Sequence, residues 1–190
     1  MILEVIKYGH PVLRERGARI KEITPEIKQL VADMFETMYD SKGIGLAAQQ
    51  IGRALQVTVI DVRGVTDRPS TLEVDGLPVD VDAHMPLVLI NPKTTPRGGK
   101  VTGPEGCLSF PEVYADVTRP ESVDVKALDA NGSPIAFRAG GLLARAVQHE
   151  VDHLDGVLFI DRMTASDKAE LRGEIDDLHT ATKKALAKKR

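Results

Sequence analysis

The stretch His149-Glu150-Val151-Asp152-His153 limits this chain more than any other, because its chemistry needs a helix and its neighbours ask for that helix to be buried. Histidines at i and i+4 project from one helix face and can grip a single ion. Leu142, Ala146, His149 and His153 are spaced by 4, 3 and 4, so the histidines continue an apolar stripe. Leu143, Val147, Glu150 and Leu154 repeat that spacing one residue on, which puts a carboxylate on an apolar stripe too. A buried carboxylate is costly unless something pairs with it, and a nearby cation or metal-bound water would serve. The alternative is a solvated surface helix carrying the pattern by chance, and the stripes count against it. The spacing predicts a helix from about Gly141 to Leu154.

A catalytic zinc-type site needs three protein ligands and one open position. In a metzincin the third histidine would fall at residue 159, which is Phe159. A zincin-type downstream acid could be Glu170 or Glu174. The remaining candidate is Cys107, the single cysteine, a soft thiolate ligand in the glycine-bearing stretch Pro104-Glu105-Gly106-Cys107-Leu108-Ser109. A lone cysteine is also often a small buried hydrophobe. These options stay open on spacing alone.

One cysteine forms no intrachain disulfide, which fits a reducing compartment. The start, Met1 to Lys7, has neither a signal-peptide core nor a transit-peptide bias, and no apolar run approaches ~20 residues. These features predict a cytoplasmic protein with no membrane. A net charge of −3 gives no global field for nucleic acid, and no specific DNA partner is expected. The last eight residues nevertheless hold five cations, Lys183, Lys184, Lys188, Lys189 and Arg190, and no anion.

At 190 residues the chain suits one domain, 1–190. Thr24-Pro25-Glu26 opens an N-terminal helix, continued by Ile27, Leu30, Val31, Met34, Phe35 and Met38 and stopped at Gly43 and Gly45. Gln56 to Val62, Leu87 to Ile90 and Ser122 to Leu128 read as strands, and Asn131-Gly132 suggests a hairpin into Ile135 to Arg138. A C-terminal helix runs from about Ser166 to Leu186, with Leu171, Ile175 and Leu178 on one face. Arg63 to Pro86 reads as a long surface loop, with a small hairpin at Asp75-Gly76. Strand and helix do not alternate regularly. The class predicted is α+β, with mixed or antiparallel strands around the central helix that bears the H-E-x-x-H pattern.

Three segments resemble the motifs of peptide deformylases: Gly43-Ile44-Gly45-Leu46-Ala47-Ala48-Gln49-Gln50, Glu105-Gly106-Cys107-Leu108-Ser109, and Gln148-His149-Glu150-Val151-Asp152-His153-Leu154-Asp155-Gly156. They stand in the family's order, and the likeness runs from His10-Pro11-Val12-Leu13-Arg14 to the final helix. The resemblance implies removal of the formyl group from N-formylmethionyl peptides, with Fe2+ as the usual ion and Zn2+, Ni2+ or Co2+ as substitutes. It implies Cys107, His149 and His153 as metal ligands and Glu150 as general acid/base. It also implies the Gln50 amide and Leu108 N–H as oxyanion donors. Ile44, Leu142 and Ala146 should line the methionine pocket, with Arg145 at its mouth or else an ordinary solvated helix residue. Gly45 and Gly106 should meet the peptide, since bare backbone lets a substrate add as a strand. The basic C-terminal end is a candidate ribosome tether, or simply a soluble helix end whose lysines oppose the dipole. Arg63–Pro86 and Lys93–Gly103 depart from the family pattern beside the expected groove. Two rival readings are a zincin-type peptidase using Glu170 or Glu174, and a non-catalytic metal-binding domain.

Overall fold

The computed structural model describes residues 1–188, so Lys189 and Arg190 of the basic end lie outside the described residues. Thr24 caps α1 (Pro25–Asp40), its hydroxyl accepting from Ile27 N–H. Val31, Met34 and Met38 bury their side chains against Leu46, Val57, Val59 and Ile90.

Seven strands form one sheet in the order β1-β2-β5-β6-β7-β3-β4, and every pairing between them is antiparallel. They are β1 (Gly45–Ala47), β2 (Val57–Ile60), β3 (Ser70–Val74), β4 (Leu77–Val79), β5 (Leu87–Cys107), β6 (Phe110–Leu128) and β7 (Pro134–Gly140). With α1, α2 (Gly141–Leu154) and α3 (Ala165–Lys188), the α+β expectation holds.

Two strands run much longer than the sequence suggests. The pattern stopped one at Ile90 and began the other at Ser122, yet β5 reaches Cys107 and β6 starts at Phe110. Pro96, Gly98, Gly99 and Pro104 interrupt periodicity, and proline and glycine are poor strand residues. Register shifts at Ile90/Lys93 and Arg97/Lys100 absorb the irregularity. A further shift at Gly106/Cys107 closes the hairpin where the cysteine sits. Along β6, Val113, Ala115, Val117 and Arg119 alternate inward. The Arg63–Pro86 stretch is also more ordered than a loop, because β3 and β4 form the hairpin at Asp75-Gly76 and β3 pairs with β7. Gly45 is likewise not simply a helix stop, since it opens β1.

α2 lies at the centre. Leu143, Ala144 and Val147 are fully buried, packed with Ile60, Leu89, Val123 and Ala139. Its N-terminus has no side-chain cap of its own. The β3 segment supplies one instead: Pro69 C=O accepts from Leu142 N–H, and Ser70 Oγ accepts from Leu143 N–H. α3 packs through Ile175, flanked by Leu171 and Leu178, on a second cluster around Phe110 and Phe159.

Candidate active site

The hairpin end of β5 delivers Cys107 to the face of α2 that carries His149 and His153. One ligand atom from each lies within 4.8 Å of the others, and Cys107 Sγ is 3.3 Å from His153 Nε2. Sulfur and nitrogen donors bound to one zinc-sized ion sit roughly 3–4 Å apart, so the cluster is compact enough for one ion. One further observation favours a cation. Among the described residues, buried Glu150 Oε2 beside the cluster has no hydrogen-bond partner, and buried polar atoms rarely stay unpaired. The two histidines are shifted in opposite directions. Burial works against protonating His149, but hydrogen bonds to Cys107 and Glu105 outweigh it and hold its pKa well above the usual range. His153, buried beside it, is pushed well below that range.

Glu150 sits one position from the ligands and is 5% exposed. Burial pushes its pKa up to about 7, with His149 opposing. A Cβ on residue 45 would collide with the Glu150 carboxylate. Glycine is therefore the residue that lets β1 pass this close to the acid.

Gln50 and Leu108 reach the same place from two sides. Gln50 Oε1 accepts from Ala47 N–H (2.9 Å), which turns its NH2 toward Cys107 Sγ (3.5 Å) and Ser109 Oγ (3.3 Å). A cavity of about 490 Å³ opens over the cluster. Ile44, Gly45, Gly106, Leu142, Arg145 and Ala146 all line it, together with Gln50, Leu108 and Glu150. Glu170 and Glu174 are exposed on α3 and take no part in the cluster. Phe159, where a metzincin would place its third histidine, packs its ring 6.0 Å from that of His149.

Sequence reasoning missed the network behind the ligands. Glu105 accepts from His149 Nδ1 (2.9 Å), Arg119 Nε (2.6 Å), Arg119 Nη2 (2.8 Å) and Arg145 Nη1 (2.7 Å). It thereby fixes the His149 ring with Nε2 turned toward Cys107, the usual task of an outer partner to a metal-binding histidine. Burial raises the Glu105 pKa, but the bonds from His149 and Arg119 outweigh it and leave the carboxyl well below the usual range. Arg145 is accordingly not a solvated helix residue. It is 8% exposed and also donates to the carbonyls of Val117 and Val101. The available signal was an acid two residues before the cysteine and a cation one helical turn before His149.

The family profile described as Polypeptide deformylase matches residues 2–169. A peptide deformylase of Methylacidiphilum infernorum is 47% identical over 178 residues, covering 94% of this chain and 93% of that protein. One from Opitutus terrae is 42% identical, covering 97% of each. Among solved structures, peptide deformylase 1B of Arabidopsis thaliana superposes with a TM-score of 0.83 at 36% identity, covering 97% of this chain and 94% of that one. A peptide deformylase from Synechococcus elongatus, solved with actinonin, gives 0.75 at 41% identity, covering 93% and 85%.

Proposed function

The chain belongs to the polypeptide deformylase family, and from that membership we propose which residues carry the reaction. The activity is the family's: hydrolysis of the formyl group from the N-terminal formylmethionine of newly made polypeptides, by a metalloenzyme. Cys107, His149 and His153 hold the ion, supported by their mutual spacing of under 4.8 Å. From the family resemblance we assign Fe2+, with Zn2+, Ni2+ and Co2+ as substitutes that the same donor set also suits. A divalent ion there supplies a Lewis acid and a water of lowered pKa.

Glu150 handles the protons. With its pKa near neutral and Oε2 free of partners among the described residues, that oxygen can take a proton from the attacking water and give it to the leaving amine. Water adds to the formyl carbon, the C–N bond breaks, and formate and a free amino terminus result. The Gln50 NH2 and the Leu108 N–H face the developing oxyanion, each donor of this kind typically being worth a factor of ~10²–10³. Ile44, Leu142 and Ala146 hold the methionine side chain, while Gly45 and Gly106 expose backbone to the peptide. Arg145 acts at the wall of that pocket from its bond to Glu105.

Residues 1–190 act as one catalytic domain in the cytoplasm. No described helix is long and apolar enough to cross a membrane. Lys183, Lys184 and Lys188 are exposed on α3 and form the ribosome-facing tether. The single observation behind the functional reading is the convergence of Cys107, His149 and His153 at a cavity that Cys107, His149 and Glu150 line. Its test is anaerobic purification, with metal analysis and formate release from formyl-Met-Ala-Ser measured on the same sample. Turnover should track occupancy up to one ion per chain, and turnover by metal-free protein would sink the reading.

A further inference from the structure

A strap, residues 5–8, runs beside the cavity, which Val5 and Lys7 line, and bonds to two neighbouring segments. Ile6 N–H donates to the Gln50 carbonyl (2.7 Å), and Tyr8 N–H donates to the Ser109 carbonyl (2.9 Å). One strap thus ties the segment after β1 to the β5–β6 hairpin. Between them, Lys7 sends its ammonium to the Leu108 carbonyl at 2.9 Å, and Lys7 itself lines the cavity. The strap is anchored from behind. Tyr8 stacks on Phe110 at 4.7 Å. Gly9, with φ +109, lies so close under α3 that a Cβ would strike the His179 carbonyl.

We infer that Lys7 is a positioning residue for deformylation: by holding the Leu108–Ser109 peptide it steadies the two-residue turn whose preceding peptide, Cys107–Leu108, presents the Leu108 N–H, opposite the Gln50 amide, to the oxyanion. This rests on the proposed role of that pair. Leu108 sits in a two-residue turn between β5 and β6, outside the ladder that would otherwise fix its peptide planes. Its side chain is set by contact with Gly43 and its carbonyl by Lys7. A cationic donor makes that hold stronger than a neutral one would. The ammonium is half-buried: burial lowers its pKa, and nearby Cys107 and Glu4 oppose that shift.

The experiment compares Lys7→Met, Lys7→Arg and Gln50→Ala, each loaded with one equivalent of nickel, on formyl-Met-Ala-Ser. Lys7→Met should lower kcat about tenfold, a fraction of the ~10²–10³ carried by a direct donor, with KM within about twofold. Lys7→Arg should recover most of the loss, and metal content and Tm should match wild type. A generic packing defect would instead lower Tm and resist rescue by arginine. If Lys7→Met does not fold, Lys7→Gln keeps a neutral donor and should show the same split with about threefold loss. If Gln50→Ala loses ~10²-fold while Lys7→Met keeps wild-type kcat, the inference is overturned and the oxyanion reading survives. If neither variant changes kcat, the oxyanion reading fails and takes the inference with it.

Discussion

Arg119→Met should destabilise this enzyme by about 3 kcal/mol, because it breaks a buried charge network from one side. The Arg119 side chain is 3% exposed and its fork spans two acids, Glu105 through Nε and Nη2 and Asp152 through Nη1. Removing one partner of a buried pair typically costs 3–5 kcal/mol, since the other charge is left uncompensated. The low end applies here for two reasons. Glu105 keeps Arg145 and His149, and Asp152 keeps Arg162 at 2.6 Å. Methionine also refills most of the buried stem. At ~2–4 °C per kcal/mol for a chain of this length, Tm should fall by roughly 6–12 °C. Thermal unfolding of metal-loaded wild type and variant, followed by circular dichroism, reads the shift. A change under about 2 °C would refute the claim that the network is held by mutual pairing. Turnover at 20 °C should survive within about threefold, since the two remaining donors still fix Glu105 against His149.

Glu105→Gln should weaken metal binding ~10–100-fold, the usual effect of losing an outer partner to a liganding histidine, measured by competition with a chelator. Glu105 also makes stability pH-dependent. Its folded pKa lies below the ordinary 4.5, so its contribution is full above that value and is lost as pH falls through the folded pKa. The acid-unfolding curve of Glu105→Gln should therefore be shallower below pH ~4.5, and superimposable curves would count against this. Glu150→Gln should keep one metal per chain yet lose ~10²–10⁴ in kcat, and near-normal turnover would remove Glu150 from the proton path. Gly45→Ala should displace the Glu150 carboxylate and cut kcat with metal content intact. Deleting residues 183–190 should abolish salt-sensitive co-sedimentation with ribosomes while short-peptide turnover persists; unchanged co-sedimentation would eliminate the tether.

The helices were legible because each announced itself locally. Thr24-Pro25 started α1 where the capping hydroxyl sits, and the 4-3-4 spacing around His149 marked two buried stripes of α2. The long β5–β6 hairpin was not legible. Its prolines and glycines deny the period, and what holds it is pairing between strands, which no local window records. The same limit applies at the site. His149, Glu150 and His153 share one helix, so their faces follow from spacing. Glu105, Arg119 and Arg145 come from β5, β6 and α2. Each alone reads as an exposed charge, and only tertiary pairing makes burial affordable. The strap from Val5 to Tyr8 was invisible for a related reason, as most of its bonds to the site use backbone atoms.

The central claim is that Cys107, His149 and His153 bind one ion together, and X-ray absorption at the zinc edge of zinc-loaded protein tests it most directly. The spectrum should show one sulfur at ~2.3 Å with two imidazole nitrogens and one oxygen at ~2.0–2.1 Å, and Cys107→Ser should lose the sulfur shell. A first shell of nitrogen and oxygen alone in the wild-type protein, or a spectrum unchanged by Cys107→Ser, would contradict it.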